Sequence, residues 1–284
     1  MLAMGERMIV SGGGLLRIFS MPQGILERSV PLAGSGALCC CGGTVYCACG
    51  REGTVFRLDA ETLMPAALFA GGPGICGMAC DEKRLYTLCG EGDGVLMLNG
   101  EDGSPLVFAR AGLSPVQMTS ADDGTLVIAG GEGSDVTRLC PHTLHAVSRE
   151  CMPWPVVGAA MHGGRQYALC MSDTLDAVLI AADRKEGRRS LRLSGLPGAL
   201  AYDDRKGRLL AAVQSGLYAV APDGLRIAGF FPLPGCSGGA GSRLICCDGY
   251  VLFLDASLGL LWALMPGRRL LVCADAIDAA LLGT

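Results

Sequence analysis

Val45-Tyr46-Cys47-Ala48-Cys49-Gly50 and Leu85-Tyr86-Thr87-Leu88-Cys89-Gly90 superpose position by position, 40 residues apart. Met8-Ile9-Val10-Ser11-Gly12, Leu126-Val127-Ile128-Ala129-Gly130 and Gln166-Tyr167-Ala168-Leu169-Cys170 fill the same slot. Leu209-Leu210-Ala211-Ala212-Val213 and Val251-Leu252-Phe253-Leu254-Asp255 complete the set. The seven starts, at 8, 45, 85, 126, 166, 209 and 251, are separated by 37, 40, 41, 40, 43 and 42 residues. A unit of four short strands with tight turns takes about 40–45 residues. Count and period both point to a seven-bladed β-propeller.

Working outward from the aligned segment, each unit reads as strand, turn, strand, turn, strand, turn, strand. A strand introduced by proline or glycine comes first: Pro73 to Cys80, Pro115 to Ser120, Pro155 to Met161 and Pro197 to Tyr202. Turn formers follow, such as Asp122-Asp123-Gly124, His162-Gly163-Gly164 and Asp203-Asp204. Downstream lie an alternating strand such as Gly94 to Leu98, a turn such as Asn99-Gly100-Glu101-Asp102-Gly103, and an outer strand such as Leu106 to Ala109. Helical periodicity is absent between the turns. The chain reads as beginning with the second strand of a blade, and Ala276 to Leu282 resembles a first strand. Pairing of that C-terminal segment beside residues 7–12 would close the ring and leave no long edge.

Composition agrees with a single domain spanning 1–284. The chain is 50% hydrophobic and 18% charged, with 43 glycines and 14 prolines, and shows no linker or charge block. A net charge of −4 gives no electrostatic footprint for nucleic acid. The most apolar stretch, Tyr250 to Met265, carries Asp255 and Ser257 and is shorter than the roughly 20 residues of a bilayer span, so no membrane association is expected. The N-terminal sequence lacks the pattern of a signal peptide. The 15 cysteines are odd in number, and adjacent ones (Cys39-Cys40-Cys41, Cys246-Cys247) point to opposite faces of a strand. Free thiols in a reducing cytoplasm are the expectation.

The repeats resemble the YVTN family of bacterial propellers. The likeness is carried by Gly112-Leu113-Ser114-Pro115-Val116-Gln117-Met118 leading to Asp123-Gly124-Thr125-Leu126-Val127-Ile128-Ala129, and by Gly195-Leu196-Pro197-Gly198-Ala199-Leu200 leading to Gly207-Arg208-Leu209-Leu210-Ala211. Asp59-Ala60-Glu61-Thr62-Leu63 is similar to that family's acid-x-x-Thr turn. The first, sixth and seventh repeats match loosely, and the Gly-His and Trp-Asp dipeptides of WD repeats are missing. This is a scaffold signature shared by proteins with unrelated functions.

Site residues are sought against that scaffold. Cys49, Cys89 and Cys170 share one slot in three blades, which suits packing between blades. Cys39, Cys40, Cys41, Cys47 and Cys49 lie on two neighbouring strands, with Cys39 and Cys41 expected on one face and Cys47 and Cys49 likewise, which would bring two or three thiols close; the spacing lacks the Cys-x-x-Cys knuckle of zinc sites, so no metal or cofactor is expected. His142, His145 and His162 fall at turns, without the setting of a catalytic triad. In a propeller the turns between strands two and three share a face with the loops between blades. Those segments carry Glu52, Glu91, Asp93, Glu132, Asp135, Asp173, Asp176 and Trp154, a carboxylate rim suited to a cation, an amine or a basic partner surface. Gln117, Thr119 and Arg243 are polar candidates for the channel, whose register the sequence fixes only to within one residue. The expected function is a non-enzymatic binding module. It would present one face, with Asp93, Asp135, Asp176, Glu52, Trp154, Gln117 and Arg243 as binding residues, to a protein or small-molecule ligand. A monomer is expected. The alternative is a lactonase-like hydrolase using the central channel, since some seven-bladed propellers similar in repeat pattern hydrolyse sugar lactones.

Overall fold

The computed structural model describes residues 1–21, 23–183, 187–239, 242–247, 250–255, 257–265 and 268–273. Seven four-stranded antiparallel sheets follow one another in chain order. The second strands are Arg7–Gly12, Thr44–Cys49, Arg84–Cys89, Leu126–Gly130, Arg165–Met171, Arg208–Val213 and Tyr250–Asp255. Each begins within one residue of the start of one of the seven aligned segments, as the repeat requires.

Burial explains their composition. A strand covered on one face alternates polar and apolar residues, whereas one covered on both does not. In Arg84–Cys89 the five residues from Leu85 to Cys89 are all buried, including Thr87, whose hydroxyl donates to Gly71 O at 2.6 Å. Outer strands such as Pro105–Arg110 and Ile25–Pro31 are mostly exposed.

Every blade packs its faces on its neighbours. Seven hydrophobic clusters each join two adjacent blades, and together they run once round the ring. Closure is made by the cluster that joins Met8, Val10, Phe19 and Met21 of the first blade to Leu252, Leu254, Leu261 and Ala263 of the seventh. The expectation about the ends needs correcting here. The first blade supplies its own inner strand, Leu2–Met4, which pairs Leu2 with Ile9 and Met4 with Arg7. The place beside residues 7–12 expected for Ala276 to Leu282 is therefore taken in part by the N-terminus itself. Residues 276–282 lie outside the described residues.

Inner strands carry a recurrent irregularity. In five blades the pairing with the second strand slips by one residue near the start of the inner strand, leaving Cys76, Val116, Val157 and Gly198 as extra residues and a like slip between Ser35 and Leu38. Such bulges sharpen the local twist and re-aim the side chains that follow. Among the described residues, no helix is long and apolar enough to cross a membrane.

Candidate functional site

The propeller offers two faces and the channel between them. On one face, backbone hydrogen bonds knit the loops between blades to the turns between second and third strands. Gly71 N donates to Gly53 O at 2.8 Å, Gly90 N to Gly74 O at 2.9 Å and Gln214 N to Leu196 O at 2.8 Å. The carboxylates expected at this rim divide into two groups. Asp93 Oδ1 accepts from Ser114 N at 2.9 Å and Asp176 Oδ1 from Gly195 N at 3.2 Å, so each ties its turn to the following interblade loop. Asp135 is fully buried and pairs with Arg149 Nε. Around its Oδ1 lie Gly112, Gly130 and Gly133, and a methyl group on Gly130 would stand 2.1 Å from that oxygen. Glu52, Glu91, Glu132 and Asp173 are exposed, and Asp173 accepts from Trp154 Nε1 at 3.4 Å. Exposed leucines stand among them: Leu113 is 56% exposed, Leu175 57% and Leu258 42%.

Gln117, Thr119 and Arg243, the polar residues expected at the channel, make hydrogen bonds between blades. Gln117 of the fourth blade accepts from Ala159 N of the fifth at 2.9 Å and donates to Leu200 O of the sixth at 3.2 Å. Thr119 reaches Ala159 O at 3.5 Å. Arg243 of the seventh blade donates to Cys76 O of the third at 3.0 Å, a bond between non-neighbouring blades that must cross the axis. Burial pulls its guanidinium below the ordinary value. It lies at the start of its inner strand and so crosses near the acidic mouth.

At the other mouth, the turns between inner and second strands of three successive blades bring Asp122, His162 and Asp204 together. His162 Nδ1 is 3.1 Å from Asp122 Oδ2 and 3.8 Å from Asp204 Oδ1. The sequence shows these residues only as turn formers. What could have singled them out is the recurrence of chemically related groups in one turn of three consecutive repeats.

The thiols resolve differently from the strand-neighbour expectation. Cys39 and Cys41 face Cys80 of the next blade, whereas Cys47, on the opposite side of the sheet, packs with Cys40 towards the first blade. Hydrogen bonding to Cys80 raises the Cys39 thiol well above its ordinary value, with burial adding to the effect. Burial pushes Cys170 up to about 12 and Cys47 to about 11. Cys49, Cys89 and Cys170 are all fully buried, and Cys49 Sγ reaches Ala33 O at 3.1 Å, in keeping with a packing role.

No protein-family model matches the chain, and none of the curated proteins matches it. Its shape is similar to solved propellers. Kuenenia stuttgartiensis hydrazine synthase matches at a TM-score of 0.67 and 12% identity, over 91% of this chain and 82% of that one. KlHsv2 with loop 6CD replaced by a Gly-Ser linker matches at 0.69 and 11%, over 91% and 88%. At such identities the likeness shows the fold alone.

Proposed function

We propose that the protein is a cytoplasmic, monomeric binding module of the YVTN type, and that its acidic loop face docks a protein partner. One observation carries this reading. Exposed Glu52, Glu91, Glu132 and Asp173 share that face with exposed Leu113, Leu175 and Leu258, while Gln117 and Arg243 spend their hydrogen bonds holding the channel together. Apolar anchors within a charged surround are the composition of a docking surface, and the sign of the charge selects a basic partner. Asp93, Asp135 and Asp176 shape the face and Trp154 borders it.

Charge reversal is the direct test. Partners recovered from the source cells on wild-type protein are compared with those on a Glu52→Lys, Glu91→Lys, Glu132→Lys, Asp173→Lys variant. The reading predicts that a basic partner is lost or bound at least about tenfold more weakly, with the melting temperature kept. Unchanged binding rejects the face. A lactone-hydrolysis screen with and without divalent metal addresses the alternative: turnover abolished by Gln117→Ala or Arg243→Ala would make the channel an active site.

A further inference from the structure

We infer that Asp122, His162 and Asp204 form a binding site for a divalent transition-metal ion at the channel mouth opposite the acidic loop face. The three side chains come from the fourth, fifth and sixth blades, and their ligand atoms all lie within 4.8 Å of one another. Donors about 2.1 Å from a shared ion stand roughly 3.0–3.4 Å apart at tetrahedral to octahedral angles. The His162–Asp122 separation of 3.1 Å already has that value. The Asp204 side chain, 79% exposed, has room to rotate inwards.

The histidine is held as a ligand would be. Its ring stacks on Tyr202 with centroids 3.8 Å apart and planes 15° from parallel, which fixes the direction of Nδ1. That nitrogen is buried, with Asp122 Oδ2 at 3.1 Å and Asp204 Oδ1 at 3.8 Å, and it makes no well-angled hydrogen bond among the described residues. Buried polar atoms without a partner are rare in folded proteins. A cation placed between Nδ1 and the two carboxylates would be coordinated by all three groups and would neutralise both acids.

Neighbouring acids supply the contrast. Each aspartate belongs to an Asp-Asp pair, and in each pair the other member is neutralised: Asp123 by Arg138 and Asp203 by Arg208. Among the described residues no arginine or lysine pairs with Asp122 or Asp204. Gly163 N, at 3.1 Å, orients the Asp122 carboxylate. One nitrogen and two carboxylates favour zinc, manganese or cobalt over calcium or magnesium, and a site without sulfur does not select copper(I). Three protein ligands leave coordination positions open to water or to a small anionic ligand.

Cobalt(II) is the probe, because its spectrum separates thiolate ligands from nitrogen and oxygen ones. Titration of chelator-free wild-type protein is expected to show one ion per chain, with weak visible bands and no intense thiolate charge-transfer band. His162→Gln and Asp204→Asn are each expected to weaken binding at least about tenfold, because loss of even an outer-shell partner costs that much. Asp204 lies in an exposed turn and His162 ends its inner strand, half-buried, so the metal-free melting temperature of Asp204→Asn should hold; Asp122→Asn provides a third variant should His162→Gln fail to fold. Absence of stoichiometric binding, equal affinity in the variants, or a thiolate band would overturn the site.

Discussion

Tyr46 and Tyr86 fill one slot in consecutive repeats, and each hydroxyl does the same work: it reaches the turn between the third and fourth strands of the next blade. Tyr46 donates to Gly100 O at 2.7 Å, and Tyr86 is 2.9 Å from Pro141 O and 2.7 Å from Asp81 Oδ2. The hydroxyl has one proton to give and Arg84 also reaches both acceptors, Pro141 O at 3.3 Å and Asp81 Oδ2 at 3.0 Å, so removing it costs one interblade hydrogen bond. Tyr86→Phe is therefore expected to destabilise the protein by about 1–2 kcal/mol, read from a denaturant midpoint; an unchanged midpoint would mean that the bond joins the blades in geometry only. At this scale the sequence reveals chemistry without allegiance. Asp93, Asp135 and Asp176 read there as one acidic set, because residue type and turn position are all that a sequence displays. Which oxygen is already held by Ser114 N, Gly195 N or Arg149 depends on residues about 14 to 21 positions away along the chain. The same holds for Asp122, His162 and Asp204, three turn residues until the blades bring them to one point.

Strands and turns were largely legible, because period, turn chemistry and the doubly buried second strand all leave marks in residue type. The turn at Asp59 bears this out: its Oδ1 accepts from Thr62 N and Thr62 Oγ1, both at 2.8 Å, and those bonds hold the carboxyl below the usual range. What the pattern hid was the direction of the inner-strand side chains. A bulge shifts strict alternation by one residue, so counting from Pro115 or Pro197 cannot tell which residue enters the channel. Glycine at 158 belongs to the same local geometry, for a Cβ there would stand 2.9 Å from both Gln117 Oε1 and Leu200 N. Gly158→Val should push the inner strands of the fourth, fifth and sixth blades apart, at a cost of about 1–3 kcal/mol. Thermal unfolding checks it, and a variant as stable as wild type would show that the channel can widen freely.

In the whole molecule the defining property is closure. No blade can cover both of its faces alone, so stability is shared among interfaces between neighbours. Sequence foresaw the circle but assigned its last seam to the C-terminal segment. In the structure, side chains of the first and seventh blades pack across that seam, and Leu2–Met4 completes the first sheet. A three-residue inner strand leaves too short an alternation to be recognised against its flanks, which is why the N-terminus looked like the start of a second strand. Closure also gives the faces their meaning, since loops from separate blades form one surface only if the ring holds.

Native-state hydrogen exchange, resolved along the seven second strands, tests that closure most directly. A sealed ring predicts that amides of Met8 to Val10 and Val251 to Leu254 exchange as slowly as those of Val127 to Ala129 and Tyr167 to Leu169, all opening with the global unfolding free energy. Fast exchange confined to the first and seventh blades would mean that the seam is open, and the account of a closed seven-bladed ring would be wrong.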